Sequence, residues 1–332
     1  MSSDSMGYMG RALELALQGP ISDNPRVGAV IVRDGVIVGE GFHHGAGTPH
    51  AEVMAITQAG PLALGGHIYV TLEPCCHHGR TGPCTTAILD AGLTSVTYAQ
   101  ADPTEEAGGG GTQLVDSGVA VVGGILSDRA HHVNRAWTHW VTTGKPWVTW
   151  KFAQTLDARV AAAVGERTQI SGPTSHQSTH QLRADVDAIV VGMNTIRIDD
   201  PVLTARDQAG ALRERQPVRV VVGNSEIPSD AQVLTSPGGE LVHYRKAEAN
   251  EILGDLAGRG VRHVLLEGGP TLARAFLTER AVNEVMTVIA PRTFGSGPAP
   301  VAGQLPSGIT AVQVRWDILG NDLVLSAYVA YR

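Results

Sequence analysis

The chain has 332 residues, 43% of them apolar and 17% charged, with a formal net charge of −7. That length exceeds one typical core and predicts two domains, and the composition is that of a folded protein rather than a disordered one. The acidic balance argues against broad binding to nucleic acid or anionic membranes but allows a local basic pocket for a phosphate, and no run approaches the ~20 apolar residues of a membrane span.

The first nineteen residues lack a basic segment followed by an apolar core, so no secretory signal is expected. Residues 6–18 place apolar side chains at helical spacing and stop at Gly19-Pro20. Two β-branched runs then flank Arg33-Asp34-Gly35, a hairpin signal. His50 opens a predicted helix reaching about Gly60. Residues 67–74 read as a strand ending at Pro74, and Cys84 starts a helix closed by Gly92. Further strands are expected at 94–102 and 119–126, with Gly108 to Gly111 a flexible loop between them. This alternation predicts an α/β unit whose sheet is covered on both faces.

Residues 127–146 carry His131, His132, His139, Trp137 and Trp140 and end in Gly144-Lys145-Pro146. They read as a helix leading into a connector, which sets the expected domains at 1–144 and 145–332. The three histidines lack an accompanying acid and are read as coating a helix face. From 147 onward strands and helices alternate again, with strands at 186–195, 218–224, 263–269 and 282–291. The charged, proline-broken segment Arg197 to Arg206 reads as a loop.

Cys75, Cys76 and Cys84 are the only cysteines. Three within ten positions fit metal binding in a reducing cytosol better than a disulfide framework. His50-Ala51-Glu52 with Cys75 and Cys84 offers an imidazole, two thiols and a carboxylate. Three protein ligands leave a fourth tetrahedral position for water, whose protons the non-ligating Glu52 can move. The expected helix N-termini at His50 and Cys84 favour thiolate. Glu52 would then return its proton to a leaving amine, which is hydrolytic deamination. Zinc nucleobase deaminases show a similar H-x-E…P-C-x-x-C pattern, but here eight residues separate the cysteines instead of two. Other readings stay open: a closed structural zinc site with Cys76, His77 or His78 as fourth ligand, or no metal. An RNA-editing deaminase and a zinc-stabilised binding module are the alternatives of function. The acidic balance opposes the first, and the second has no use for Glu52. In the second half there is no GxGxxG after the first strand. Glu267-Gly268-Gly269 before a helix at Pro270-Thr271 suits either a phosphate cradle or an ordinary tight turn.

The segments Asn24-Pro25-Arg26-Val27-Gly28-Ala29-Val30-Ile31-Val32, His50-Ala51-Glu52 and Thr71-Leu72-Glu73-Pro74-Cys75 through Arg80-Thr81-Gly82-Pro83-Cys84 resemble the bifunctional deaminase–reductase family of riboflavin biosynthesis (RibD/RibG), which shares the eight-residue gap. In the second half Lys151 to Asp157, Leu182-Arg183-Ala184, Val191 to Pro201 and Glu267 to Leu272 carry the likeness. It implies a cytidine-deaminase-like three-layer α/β/α domain followed by a dihydrofolate-reductase-like α/β domain. The first would deaminate a phosphoribosylamino-pyrimidine with zinc on His50, Cys75 and Cys84, and Glu52 as proton carrier. The second would reduce the ribosyl group with NADPH. Implied deaminase pocket residues are Asn24, His43, His77, Arg80 and Asp102, with Arg80 a phosphate ligand. NADPH contacts are implied at Ala153, Gln169, Thr195, Asp199, Asn224, Gly269, Pro270 and Thr271, and substrate contacts at Arg167, Arg183, Leu203, Arg206 and Glu267. A planar guanidinium pairs two phosphate oxygens, which suits Arg183 and Arg206; Lys151 and Asp199 are implied in proton delivery. The expected partners are small molecules, with no nucleic acid and no membrane, in the cytoplasm; a homo-oligomer is left open. The chain departs from the family pattern at Cys76 for Ser, Thr104 for Asn, Ala158 for Gly, Gln169 for Trp and Gly223-Asn224 for Asp-Ser.

Overall fold

The computed structural model describes residues 3–77 and 82–332. The chain divides into two compact units, Met1–Gly144 and Lys145–Arg332. None of the described helices is long and apolar enough to cross a membrane.

The first unit runs α1 (Ser3–Ala16), β1 (Gly28–Arg33), β2 (Val36–Phe42), α2 (Ala51–Ala59), β3 (His67–Leu72), α3 (Cys84–Asp90) and β4 (Ser95–Gln100), then α4 (Gly110–Asp116), β5 (Ala120–Gly123), α5 (Ser127–Val133) and α6 (Arg135–Thr143). Its sheet has the order β2-β1-β3-β4-β5, with β1 antiparallel to β2 and β3 and the remaining pairs parallel. Asp34 and Gly35 both adopt positive φ, closing the β1–β2 hairpin. Met9, Ala12 and Leu13 of α1 and Ala130 of α5 pack on Val30, Val32 and Tyr69. On the other face Ala51, Ala55, Ile88 and Leu114 of α2, α3 and α4 pack on Ala29, Ile31, Ile68 and Val70. The sheet is covered on both faces. α2 lies unusually close to β2: a Cβ at Gly39 would meet the Ala55 carbonyl at 2.2 Å, and one at Gly41 the Ala51 carbonyl at 2.4 Å. Glycine opposite alanine thus presses the start of α2 onto the sheet.

Two expectations are corrected here. Gly110 and Gly111 belong to α4 and are buried, so this segment is no flexible loop; a Cβ at Gly110 would lie 1.8 Å from the Pro74 carbonyl. The single helix expected at 127 onward is two, because Asn134 leaves the helix. Its Oδ1 accepts from Arg26 N at 2.9 Å and its Nδ2 donates to Arg26 O at 3.0 Å.

The second unit runs β6 (Trp147–Thr155), α7 (Pro173–Ala184), β7 (Ala188–Gly192), α8 (Met193–Asp199), β8 (Val218–Val222), α9 (Gln232–Thr235) and β9 (Leu241–Tyr244). It continues with α10 (Ala249–Gly258), β10 (His263–Leu266), α11 (Pro270–Thr278), β11 (Glu284–Ala290), β12 (Ile309–Leu319) and β13 (Asp322–Tyr331). The sheet order is β12-β13-β11-β6-β10-β7-β8-β9. Strands β11 through β9 in that order are parallel, and the β12–β13 hairpin adds to the edge of β11 antiparallel. α10 and α11 bury Ile252, Leu256, Phe276 and Leu277 against Val148, Val190, Val264 and Leu266. α7 and α8 bury Leu182 and Ile196 against Ile189, Val191 and Leu265 on the opposite face. The parallel arrangement gathers the strand C-termini at one edge, where ligands of such sheets bind. Strand 186–195 ends early, since Met193 to Thr195 are already helical, and Arg197 to Asp199 finish α8; the loop begins only at Asp200.

Candidate functional site

In the first unit His50 caps α2, Cys75 follows β3 and Cys84 opens α3. His50 Nδ1 lies 3.1 Å from Cys84 Sγ and 3.6 Å from Cys75 Sγ. The three ligand atoms all fall within 4.8 Å of one another and are the one such group among the described residues. Ligands about 2.1 and 2.3 Å from a tetrahedral zinc are separated by about 3.5 Å, so the donor set fits that ion. Cys84 N–H also donates to Cys75 Sγ at 3.4 Å. The hydrogen bond from the Cys84 thiol, with help from His50, holds the Cys75 thiol down to about 4. The Cys84 thiol moves up in turn, because two thiolates this close cannot both stand without a cation. Glu52, 4% exposed, lies within reach of Cys84, and burial pushes its carboxyl up despite the His50 charge. Cys76 turns away: its Sγ donates to the Gly108 carbonyl at 3.2 Å.

The walls are set by backbone contacts. The Pro49 carbonyl can only accept, so His43 donates to it from Nδ1 (3.4 Å), and His43 Nε2 accepts from Asn24 Nδ2 at 3.0 Å. The His43 ring stands edge-on to His50 at 5.4 Å. Asn24 N also donates to Ser22 Oγ at 3.2 Å. Asp102 accepts from Thr104 N at 2.9 Å and Thr104 Oγ1 at 2.6 Å, and burial raises its carboxyl. His77 Nδ1 is buried with no partner among the described residues, an open donor or acceptor. Arg80 lies outside the described residues. Glu73, which sequence reasoning left without a role, is 8% exposed. Its Oε2 accepts from Asp102 N at 3.2 Å and its Oε1 from Gly111 N at 2.9 Å, so it ties the segment before Cys75 to the Asp102 wall and to α4. A carboxylate closing an apolar strand was the only signal for it.

In the second unit Lys151 on β6, Arg183 on α7 and Glu267 after β10 come together. Arg183 Nε and Nη2 donate to the two Glu267 oxygens at 2.9 and 2.5 Å, and Nη1 to the Thr204 carbonyl at 3.4 Å. The fork expected to pair a phosphate is therefore spent on Glu267. Burial would raise the Glu267 carboxyl, but Arg183 and Lys151 hold it below its ordinary value. Burial lowers the Lys151 ammonium, and it raises Asp199 against the opposing charge of Arg167. Leu203 is buried at φ +57, a strained turn that precedes the Thr204 carbonyl. Arg206 donates to the Gly210 carbonyl at 2.8 Å, inside its own turn.

The cofactor positions converge in part. A Cβ on Gly269, which caps α11, would lie 3.7 Å from Thr195 Oγ1 of α8, and Gly268 has no room for a side chain against Leu272 (2.6 Å). The N-terminus of α11 thus lies beside α8, and helix N-termini of this kind can receive a pyrophosphate. Ala153 lies on β6 two positions after Lys151, and Asn224 follows β8. Gln169 instead turns its amide to the Ser171 carbonyl at 2.9 Å. His176 and His180 on α7 were not expected; with Arg183 they recur at i, i+4 and i+7, a pattern visible only once α7 is known.

Residues 2–100 match the cytidine and deoxycytidylate deaminase zinc-binding region, and residues 146–325 match the RibD C-terminal domain. The riboflavin biosynthesis protein RibD of Mycobacterium tuberculosis is 43% identical over 96% of this chain and 95% of its own length. That of Aquifex aeolicus is 37% identical over 96% of both. The solved structure of Acinetobacter baumannii RibD superposes with a TM-score of 0.84 at 33% identity, covering 98% of this chain and 99% of that one. A Thermotoga maritima structure described as a diaminohydroxyphosphoribosylaminopyrimidine deaminase/5-amino-6-(5-phosphoribosylamino)uracil reductase gives 0.84 at 29% identity over the same shares.

Proposed function

The chain belongs to the RibD family of riboflavin-biosynthesis deaminase–reductases, and from that premise we propose how its two units divide the work. Residues 1–144 deaminate 2,5-diamino-6-(5-phosphoribosylamino)pyrimidin-4(3H)-one, and residues 145–332 reduce the ribosyl group of the resulting 5-amino-6-(5-phosphoribosylamino)uracil. The observation that carries this reading is the His50, Cys75 and Cys84 group at tetrahedral spacing with buried Glu52 beside it.

His50, Cys75 and Cys84 would hold zinc, which when bound would supply the Lewis acidity that makes water a nucleophile near neutral pH. Glu52 takes up a proton from that water, and burial favours the protonated carboxyl until it passes the proton to the exocyclic amine. Water's oxygen stays on the ring carbon as a carbonyl, and ammonia leaves. Asn24, oriented through its bond to His43, keeps Oδ1 for a ring donor, and His77 and Asp102 line the pocket. Arg80 is proposed for the phosphate.

In the second unit Ala153, Thr195, Asp199, Asn224 and the Gly269-Pro270-Thr271 turn would hold NADPH, which when bound would supply the hydride. Gln169 borders it. Asp199 is held protonated more readily than a free carboxylate, and Lys151 sheds its proton more readily than a free amine. Both suit delivery of the one proton that accompanies the hydride. Arg183 fixes Glu267 for the ribose hydroxyls, and Arg167, Leu203 and Arg206 frame the substrate. Glu52→Gln should abolish ammonia release with zinc still bound, and the purified protein should oxidise NADPH when given the deaminated substrate. Unchanged ammonia release in the variant would sink the deaminase mechanism.

A further inference from the structure

Leu203, Thr204 and Ala205 belong to no strand, yet all three are buried. Backbone groups hidden from water outside a ladder must find partners elsewhere. At Ala205 Gln216 supplies them. Its Oε1 accepts from Ala205 N at 3.0 Å, and its Nε2 donates to the Ala205 carbonyl at 2.8 Å and the Arg213 carbonyl at 2.7 Å. The carboxamide stands where a neighbouring strand would, which takes a donor and an acceptor on one flat group. Gln216 itself lies two positions before β8, whose Val218 N donates to the Asp187 carbonyl at 2.8 Å, so the carboxamide is anchored on the sheet. One position upstream of Ala205, the Thr204 carbonyl accepts from Arg183 Nη1 at 3.4 Å and His180 Nδ1 at 3.2 Å, and the same guanidinium holds both Glu267 oxygens. Leu203 turns the chain into that carbonyl at φ +57, a strained conformation that lasts only where its surroundings hold it. Arg183 and His180 hold it at Thr204, and Gln216 holds it at Ala205.

Resting on the reductase reading of this unit, we propose that Gln216 is a positioning residue for the reduction: by fixing Ala205 it sets the Thr204 carbonyl, and through that carbonyl the Arg183–Glu267 pair. Its partners are backbone groups of the segment and not Lys151 or Asp199, so it governs how the substrate is received rather than how the proton and hydride move. Without the carboxamide the strained turn at Leu203 is released on its downstream side. The Thr204 carbonyl then drifts from Arg183, whose guanidinium is left oriented by Glu267 alone. Part of the binding free energy must restore the segment before the substrate is held, so affinity falls. An interaction that serves the bound ground state and the transition state alike raises KM when lost and leaves kcat in place.

The test uses the full chain. Gln216→Met keeps the length of the side chain and removes all three hydrogen bonds. Its KM for 5-amino-6-(5-phosphoribosylamino)uracil should rise about tenfold, the worth of one net hydrogen bond, with kcat within about twofold and the KM for NADPH unchanged. Gln216→Glu keeps the shape and the acceptor for Ala205 N but turns a carboxylate on two carbonyls, and its KM should rise at least as far. In an Arg183→Lys background Gln216→Met should raise KM by only about twofold, because the route through the guanidinium is already cut. Hydrogen exchange of the unliganded chain gives a readout apart from turnover: the Ala205 amide should exchange about tenfold faster in Gln216→Met, while β7 and β8 keep their protection and report a folded unit. An unchanged KM in both single variants, a fall in kcat as large as the rise in KM, or an Ala205 amide that exchanges as before would overturn the role of Gln216. Effects of Gln216→Met and Arg183→Lys that simply multiply would overturn the route through Arg183. An unaltered chain that oxidises no NADPH with this substrate would overturn the reductase reading, and the role of Gln216 in that reaction with it.

Discussion

In the first unit the groups that carry the chemistry stand at the ends of neighbouring elements: His50 at the cap of α2, Cys75 after β3, Cys84 at the start of α3. In the second they come from β6, α7, the end of α8 and the turn after β10, and Arg183 and Glu267 are paired before any ligand arrives. One site is a set of donors crowded together with no cation of their own. The other is built round an ion pair already formed. The first should therefore depend on its metal, and the second on keeping its internal ion pair.

Removing zinc separates the units most sharply. Chelation followed by gel filtration should lower ammonia release at least about 10³-fold, since both the polarised water and the geometry around Glu52 go with the ion. NADPH oxidation by the same sample should persist. If both activities vanish together, the units are not independent in the way the two sites suggest. Restoring zinc should return only the lost activity.

Glu267→Gln probes the opposite dependence. Arg183 and Glu267 side chains are only 16% and 12% exposed, so breaking the pair strands a cation with little water to solvate it. Losses of about 3 kcal/mol are usual for such a cut. Hydrogen exchange resolves the units separately: faster exchange should appear in β10, α7 and β6, while β1 and β3 keep their protection. Equal protection in the variant and the unaltered chain would mean the pair contributes nothing net.

These two experiments fall on residues whose readability differed. His50, Cys75, Cys84 and Glu52 were legible because metal and proton chemistry is written in residue type and short spacing. The strands were legible because parallel, doubly buried strands read as apolar runs. Glu73 and Asn134 were not. Their partners, Asp102 and Arg26, lie 29 and 108 positions away, and nothing in a glutamate before a proline announces that both its oxygens will meet backbone N–H groups. The Arg183–Glu267 pair spans 84 positions, so an arginine that looked free for phosphate was already engaged. The flexible loop expected at Gly108 to Gly111 failed for a related reason. Those glycines serve close packing on Pro74 and Tyr98, which composition alone does not separate from mobility.

Asn134→Ala returns to the first unit with a smaller effect. Two part-buried hydrogen bonds to the Arg26 backbone disappear, and the freed Arg26 groups must find water, so a loss of about 2 kcal/mol is expected. Because Asn24 belongs to the same loop, the deaminase KM should rise more than its kcat falls, and NADPH oxidation should not move. A fall in kcat alone would place the effect on the zinc ligands instead.

The mildest change sharpens the comparison from the other side, by improving the second unit without touching the first. Ala158 sits at φ +56, where an L side chain crowds its own carbonyl. It cannot relax, because the turn is fastened on both sides. Asp157 accepts from Gly295 N at 2.7 Å and Phe294 N at 3.2 Å, and Arg159 N donates to Thr155 Oγ1 at 3.0 Å. Glycine removes about 1 kcal/mol of this strain and returns part of it as added freedom of the unfolded chain. Ala158→Gly should therefore stabilise the second unit by about 0.5 kcal/mol, read as a higher urea midpoint at constant slope. The zinc-dependent activity should be unchanged. A lower midpoint would mean that the turn holds Ala158 with less strain than its backbone angle implies, and that the second unit owes its order more to contacts such as Asp157 with Phe294 and Gly295 than to the conformation of the turn itself.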